Sequence, residues 1–222
     1  FIFIISKKKE SIKKYFFNDR FYKSILTKKK DKRIKKVFDK LKKYQKMIKF
    51  VYQDKPKGTG DAILKCKNYI KSSHFLMVFP DDLIINKNCS KEMISLHNKT
   101  GSSIIATKKV ERKTVSRWGI LSFKNKKKNY FKIKDVVEKP SLKNAPSNYA
   151  IIGRYVLPKI IMGKLKKLKP GQGGEIHITD AIRDLIVDGE TFYGNIFKGQ
   201  YLDCGTLSGY INSGIKISKE NK

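Results

Sequence analysis

The sequence predicts an α/β domain built on an open sheet that is mixed but mostly parallel. Three features point there. Two unbroken apolar runs, Phe1–Ile5 and Phe75–Phe79, have the length and content of strands buried on both faces. As far as Thr107, strand-like runs alternate with helical periodicity, the order that parallel strands joined by crossover helices require. Beyond Thr107, three strand-like segments succeed one another with turns only.

The elements follow in order. After the opening strand, Ile12, Tyr15 and Phe16 form a short helical stripe. Ile34, Val37, Phe38 and Leu41 repeat at helical spacing, which predicts a second helix with its lysines outward. A strand is expected at Ile48–Tyr52, then a loop holding Pro56, Gly58 and Gly60. Asp61 is placed to cap a helix running to about Ile70. The strand Phe75–Phe79 stops at Pro80-Asp81-Asp82. A helix over Ser90–Asn98 and a strand over Ser103–Thr107 come next. In the second half, strands are expected at Ile120–Phe123, Phe131–Val137 and Tyr149–Leu157, with Lys124–Asn129 as a lysine-rich hairpin loop. Helices at Lys159–Leu168 and Glu175–Val187, a strand at Thr191–Phe197, the segment Tyr201–Gly205 and a helix from about Thr206 complete the pattern.

With 222 residues and no Gly/Ser- or Pro-rich linker, the chain is expected to form a single domain over 1–222. No apolar run approaches the roughly 20 residues that span a bilayer, so membrane insertion is not expected. Cys66, Cys89 and Cys204 lie far apart with no CxxC, which argues against a disulfide framework or a zinc knuckle and for a reducing cytoplasm. The net charge of +32 comes from 51 basic residues, of which only six are arginine. Nucleic-acid readers favour arginine, whereas here lysine, asparagine and isoleucine abound together, as an AT-rich coding sequence would dictate. A nucleic-acid partner is therefore not expected. If a basic patch exists it is Lys7–Lys49, with 19 basic and four acidic residues.

Four places can carry chemistry. Asp81 stands just past the C-terminal end of a buried strand, where open α/β sheets bind ligands; a carboxylate there suits Mg²⁺, and equally Asp81 or Asp82 can simply cap the next turn. Asp203 repeats the arrangement after Tyr201-Leu202 and before Gly205. Gln53 to Asp61 is a loop whose glycines allow backbone to approach an anionic or flat ligand, or simply an ordinary loop. Glu138-Lys139-Pro140 ends a strand with an acid suited to sugar hydroxyls and a base suited to a phosphate, or with an exposed ion pair. His74, His97 and His177 share no metal-ligand spacing, and there is no GxSxG, so covalent catalysis is disfavoured.

Taken in order, QDKPKGTGDAI, FPDDLI, SRWGIL, EKP, APSNYAIIGRYVL, GGEIHITDAI and YLDCGT resemble the bacterial UTP–glucose-1-phosphate uridylyltransferases, a branch of the sugar nucleotidyltransferases, from about Phe1 to Ile217. The resemblance implies a Rossmann-like nucleotidyltransferase fold and conversion of UTP and glucose 1-phosphate to UDP-glucose and pyrophosphate. It implies that Gln53 reads the uracil ring with the Gly58 backbone alongside, and that Asp81 and Asp203 hold Mg²⁺. Gly119 is matched to a glycine that meets the sugar, Glu138 to the residue binding glucose hydroxyls, and Lys139 to the residue holding the sugar phosphate. Asn148 and Glu175 fall in segments near the sugar. It also implies a homo-oligomer. Related readings are a dTTP-using thymidylyltransferase and, from a different class, a non-catalytic remnant or a basic nucleic-acid binder. Small departures are Trp118 where tyrosine is usual and Asp61 where histidine is common. One departure is large: the family's first strand, its GxGxRxxPxTK nucleotide loop and a basic residue acting on pyrophosphate have no match. Phe1–Ile5 corresponds to a later strand, so roughly 50 or more residues, one or two strand–helix units, are expected upstream. Negligible turnover by residues 1–222 alone is the corresponding expectation.

Overall fold

A computed structural model of the chain describes residues 1–29 and 32–220. It divides into two compact units, the first made of Phe1–Ile70 with Pro170–Ile176, the second of Lys71–Lys169 with His177–Lys222.

In the first unit, β1 (Ile2–Ile5) pairs in parallel with β2 (Lys49–Tyr52), Ile2 opposite Lys49 and Ile5 opposite Tyr52. Three helices connect them: α1 (Glu10–Phe17), α2 (Asp19–Lys29) and α3 (Lys32–Gln45). The sequence pattern anticipated α1 and α3 but not α2. Lys30 and Asp31, inside the basic stretch, lie outside the described residues. The break after α1 is fixed by polar contacts that no periodicity reports. Gln45 donates from Nε2 to Phe16 O at 2.6 Å and to Asp19 Oδ1 at 3.2 Å, and Lys42 pairs with Asp19 Oδ2. Those hydrogen bonds, that of Lys42 foremost, hold the Asp19 carboxyl below its ordinary value.

The helix after the glycine loop differs from expectation. It is short, α4 (Thr59–Lys65), followed by a 3-10 turn at Lys67–Tyr69, and Gly58 occupies its N-cap with no side-chain cap. Asp61 lies within the first turn, where its Oδ2 accepts a hydrogen bond from Gln53 Nε2 at 2.7 Å instead of capping.

The second unit holds β3 (His74–Val78), β4 (Asp82–Ile85), α5 (Cys89–Thr100), β5 (Ser103–Lys109), β6 (Gly119–Lys124), β7 (Tyr130–Glu138) and β8 (Tyr149–Pro158). It continues with α6 (Ile161–Lys167), α7 (Ile178–Val187), β9 (Phe192–Ile196), β10 (Gln200–Asp203) and α8 (Leu207–Glu220). Six strands form one sheet in the order β3-β8-β5-β9-β7-β6, and β4 pairs with β10 separately. The α/β class and the mixed sheet agree with the sequence reading; the balance of strand directions does not. Among the described pairings only β1–β2 and β5–β9 are parallel. The reason is β8. It inserts antiparallel between β3 and β5, two strands that run the same way and that sequence order alone would set side by side. Nine of its ten residues are buried, so its apolar run carries no alternation from which direction or neighbours can be read.

The core lies on β8 and β5. Met93 and Leu96 of α5 pack with Ile104, Ala106, Ile152 and Val156. Helix α5 owes its bounds to local chemistry: Asn88 Oδ1 accepts the Lys91 N–H at 3.0 Å, and Gly101, left-handed at φ 67°, ends the helix with its N–H on His97 O. The three cysteines are free thiols, and burial pushes Cys66 up to about 11 and Cys89 up to about 12. Among the described residues no helix is long and apolar enough to cross a membrane.

Candidate active site

Two of the aspartates singled out in the sequence meet. Asp81 follows β3 across Pro80, and Asp203 is the last residue of β10. The Cys204 N–H donates to Asp81 O at 2.8 Å, tying the two strand ends together, and the Gly205 N–H donates to Asp203 Oδ1 at 3.0 Å. A Cβ on Gly205 would lie 3.1 Å from Asp81 Oδ2 and 3.3 Å from Asp203 Oδ1. Both carboxylates thus face one point that a glycine leaves open. The other Asp203 oxygen, Oδ2, is 3.5 Å from Arg117 Nη2, and the Arg117 guanidinium lies over the Trp118 ring, 5.8 Å from its centroid.

Asp82, considered in the sequence only as a possible turn cap, is a strand residue. It begins β4 directly opposite Asp203. Its Oδ2 accepts the Gly153 N–H at 2.6 Å and its Oδ1 accepts the Tyr201 O–H at 2.5 Å. Burial pushes this carboxyl above its ordinary range, while the two hydrogen bonds pull the other way. Gly153 has to be glycine, because a Cβ there would overlap Asp82 Oδ2 and the Phe79 side chain. Burial, with the Asp82 contact second, also raises the Tyr201 hydroxyl, keeping it a proton donor.

A second group forms where β6 and β7 pair, Gly119 opposite Glu138. A Cβ on Gly119 would meet Ile151 Cδ1 at 3.1 Å, Glu138 Oε2 at 3.2 Å and Thr179 Cγ2 at 3.3 Å. The glycine therefore leaves a hollow walled by a carboxylate, a buried threonine and an aliphatic side chain. Lys139 follows at φ 43°, its N–H donating to Trp118 O at 3.0 Å. A lysine held in the left-handed region costs on the order of 1 kcal/mol or more, and such strain concentrates at ligand sites. Asn148 donates from its Nδ2 to Val110 O at 3.2 Å, beyond the end of β5.

In the first unit, Gln53 leaves β2 with its N–H on Ile5 O at 2.9 Å, and its Nε2 donates to Gly58 O at 3.1 Å as well as to Asp61. The side-chain oxygen is the face turned away from those two bonds. Gly58, at φ 93°, presses against the returning segment: its Cβ would lie 2.5 Å from Ile176 O and 2.9 Å from Glu175 Cβ. Two backbone bonds close the contact, Ile176 N–H to Lys57 O and Gly60 N–H to Ile176 O.

The structure thus brings together Asp81 with Asp203, Gly119 with Glu138 and Lys139, and Gln53 with Gly58 and Glu175. Sequence reasoning missed Arg117, Gly153 and Tyr201. All three stand inside quoted motifs, SRWGIL, APSNYAIIGRYVL and YLDCGT, so their presence was visible but their partners were not. Among the described residues no three His, Cys, Asp or Glu side chains group to hold a metal ion. The Asp81–Asp203 pair is a two-carboxylate arrangement, which suits a hard cation that keeps several waters, as Mg²⁺ does.

Residues 11–220 match the Nucleotidyl transferase family, and the chain belongs to it. It is 36% identical over 167 residues to a UTP–glucose-1-phosphate uridylyltransferase from Pseudomonas aeruginosa, an alignment covering 74% of this chain and 60% of that protein. A crystal structure of apo UDP-glucose pyrophosphorylase superposes with a TM-score of 0.88 at 31% identity, covering 100% of this chain and 81% of that one. A UDP-glucose pyrophosphorylase complexed with UDP-glucose gives 0.82 at 32% identity, covering 99% and 80%. The chain spans about 60% of the length of the curated relatives it matches.

Proposed function

We propose that this chain carries the metal and sugar-phosphate machinery of a UTP–glucose-1-phosphate uridylyltransferase. The observation that carries the reading is the convergence of Asp81 Oδ2 and Asp203 Oδ1 on the open side of Gly205, in a chain whose relatives bear that name. A phosphate oxygen of glucose 1-phosphate attacks the α-phosphorus of UTP; the new P–O bond forms as the bond to the β-phosphate oxygen breaks, and pyrophosphate leaves. The nucleophile is already an anion, so no general base is needed. Alignment and charge neutralisation do the work.

Asp81 and Asp203 are the residues that would hold Mg²⁺, which when bound neutralises phosphate charge. Glu138 accepts hydrogen bonds from sugar hydroxyls in the hollow at Gly119. Lys139 supplies a point charge to the sugar phosphate. Gln53 and the Gly58 backbone are assigned to the uracil ring, with Asn148 and Glu175 assigned to the neighbourhood of the sugar. A homo-oligomer and a reducing, cytoplasmic setting belong to the same reading; molecular mass in solution checks the first.

Calorimetric titration of residues 1–222 with UDP-glucose and with dTDP-glucose, in Mg²⁺, tests the assignment. The expected result is binding of UDP-glucose in preference to dTDP-glucose. Lys139→Ala should weaken glucose 1-phosphate about tenfold or more, the scale of one charge-assisted contact, and leave UTP unchanged. Preference for dTDP-glucose would transfer the assignment to the thymidylyl enzymes, and failure to bind either would remove it.

A further inference from the structure

We propose that Asp82 is a positioning residue: its carboxylate, engaged at both oxygens, sets how Asp81 and Asp203 face one another across Gly205. The inference rests on the reading in which those two aspartates hold a divalent cation.

The tandem Asp81-Asp82 places two carboxylates side by side in sequence, yet they have opposite tasks. Asp81 Oδ2 faces the open side of Gly205. Both oxygens of Asp82 are already used, Oδ2 by the Gly153 N–H of the central strand β8 and Oδ1 by the Tyr201 O–H of β10. Its main-chain oxygen accepts from Arg154 Nη2 at 3.3 Å, so β8 grips this residue a second time. Asp82 therefore fastens β4 to the buried centre of the sheet and to β10 at once. The residue before it is Asp81, and the residue opposite it in the β4–β10 register is Asp203. One carboxylate consequently fixes both ends of the pair.

The surroundings are shaped for this brace. Gly153 has no side chain where Asp82 Oδ2 and Phe79 fill the space. Tyr201 is held edge-on to Trp118, ring centroids 6.1 Å apart, with Lys108 Nζ 5.4 Å from its centroid on a ring face. A neutral residue would be the simpler way to join three strands. A carboxylate set among two others raises mutual repulsion, an arrangement that a cation resting between Asp81 and Asp203 relieves. Groups that orient metal ligands from behind typically account for about 10- to 100-fold in metal affinity.

Mn²⁺, followed by the electron paramagnetic resonance signal of the free ion, is the probe. Four forms of residues 1–222 are titrated: the unaltered chain, Asp203→Asn, Asp82→Asn and Tyr201→Phe, each with its thermal melting recorded. Tyr201→Phe removes only the hydroxyl, so it decides the matter if Asp82→Asn fails to fold. The expected result is loss of Mn²⁺ binding in Asp203→Asn. Affinity should fall about 10- to 100-fold in Asp82→Asn and by a smaller but measurable factor in Tyr201→Phe, with cooperative melting retained. If Asp203→Asn loses the ion while folded Asp82→Asn or Tyr201→Phe binds it like the unaltered chain, the positioning role is wrong and the metal assignment stands. If Asp203→Asn binds normally, or the unaltered chain binds no Mn²⁺, the metal assignment is wrong and the positioning role goes with it.

Discussion

The two units of this chain use similar residues to very different effect. In the second, β8 is buried along nearly its whole length, and Ile104, Ile105, Ala106, Ile152 and Leu157 are fully enclosed. In the first, α1 buries none of its residues and α3 buries only Leu41. Its buried side chains, Ile5, Leu41, Val51, Ile63, Cys66 and Ile70, are fewer, and they are supplemented by half-exposed aromatic contacts, such as Phe3 with Phe16 and Phe50 at centroid separations of 5.1 and 5.6 Å, and by the polar knot around Asp19. Exposed ion pairs contribute little, whereas each enclosed aliphatic side chain contributes about 1.5–3 kcal/mol. The candidate metal ligands therefore stand on the well-packed unit and the loop assigned to the base on the sparsely packed one. Holding metal ligands, as proposed for Asp81 and Asp203, needs a scaffold that does not yield; the proposed contact of Gln53 and the Gly58 backbone with a ring needs less.

That contrast is open to direct attack. The largest effect should come from the core. Ile152→Ala should destabilise the second unit by about 2–5 kcal/mol, and Leu41→Ala should fall at or below the bottom of that range because Leu41 is the one residue that α3 buries and its surroundings can collapse. Chemical denaturation of the two variants checks this. Equal losses would mean that the first unit has a core of comparable weight.

This difference also governs how much could be read in advance. Helix α3 was legible because Ile34, Val37, Phe38 and Leu41 lie on one face, whatever the lysines between them do. Six strands of the second unit, β3 and β5 to β9, were legible as apolar runs with bounds close to those observed, whereas β4 was missed after the stop at Pro80 and β10 was read only as a segment. Their neighbours were not: the place of β8 depends on contacts between residues dozens of positions apart, and a strand buried on both faces has no alternation to betray its direction. The candidate site divides the same way. Asp81 and Asp203 could be singled out as candidates from their place after apolar runs, and Glu138 and Lys139 from the strand end. Asp82 was not, because its function in the fold comes from Gly153 and Tyr201, 71 and 119 positions away. Asp61 misled, since a cap and a partner for a glutamine look alike in sequence.

A second test sharpens the contrast through its thiols. Cys66 belongs to the first unit and Cys89 to the second, and burial raises both. Neither should react with iodoacetamide until its surroundings open. Under native conditions Cys66 should label on the order of tenfold faster than Cys89, the difference expected if the sparsely packed unit opens at a free-energy cost lower by roughly 1.4 kcal/mol. Labelling at one common rate would show the two units opening together.

The smallest expected effect concerns charge. The lysines of α1 and α3 should give weak, sequence-independent binding to single-stranded DNA at low salt, fading by roughly 0.2 M as counterion release loses its advantage. Tight, sequence-selective binding above that concentration would favour a nucleic-acid role for the first unit.

The central claim is that Asp81 and Asp203 hold a divalent cation that secures a uridine-diphosphate sugar. It is tested most directly by measuring the Kd of UDP-glucose for residues 1–222 over a series of Mg²⁺ concentrations, with Asp203→Asn alongside. The account predicts that affinity rises with Mg²⁺ in the unaltered chain and that the Asp203→Asn variant, folded and melting normally, shows no such rise. An Asp203→Asn variant that binds UDP-glucose with the full Mg²⁺ dependence of the unaltered chain would contradict it.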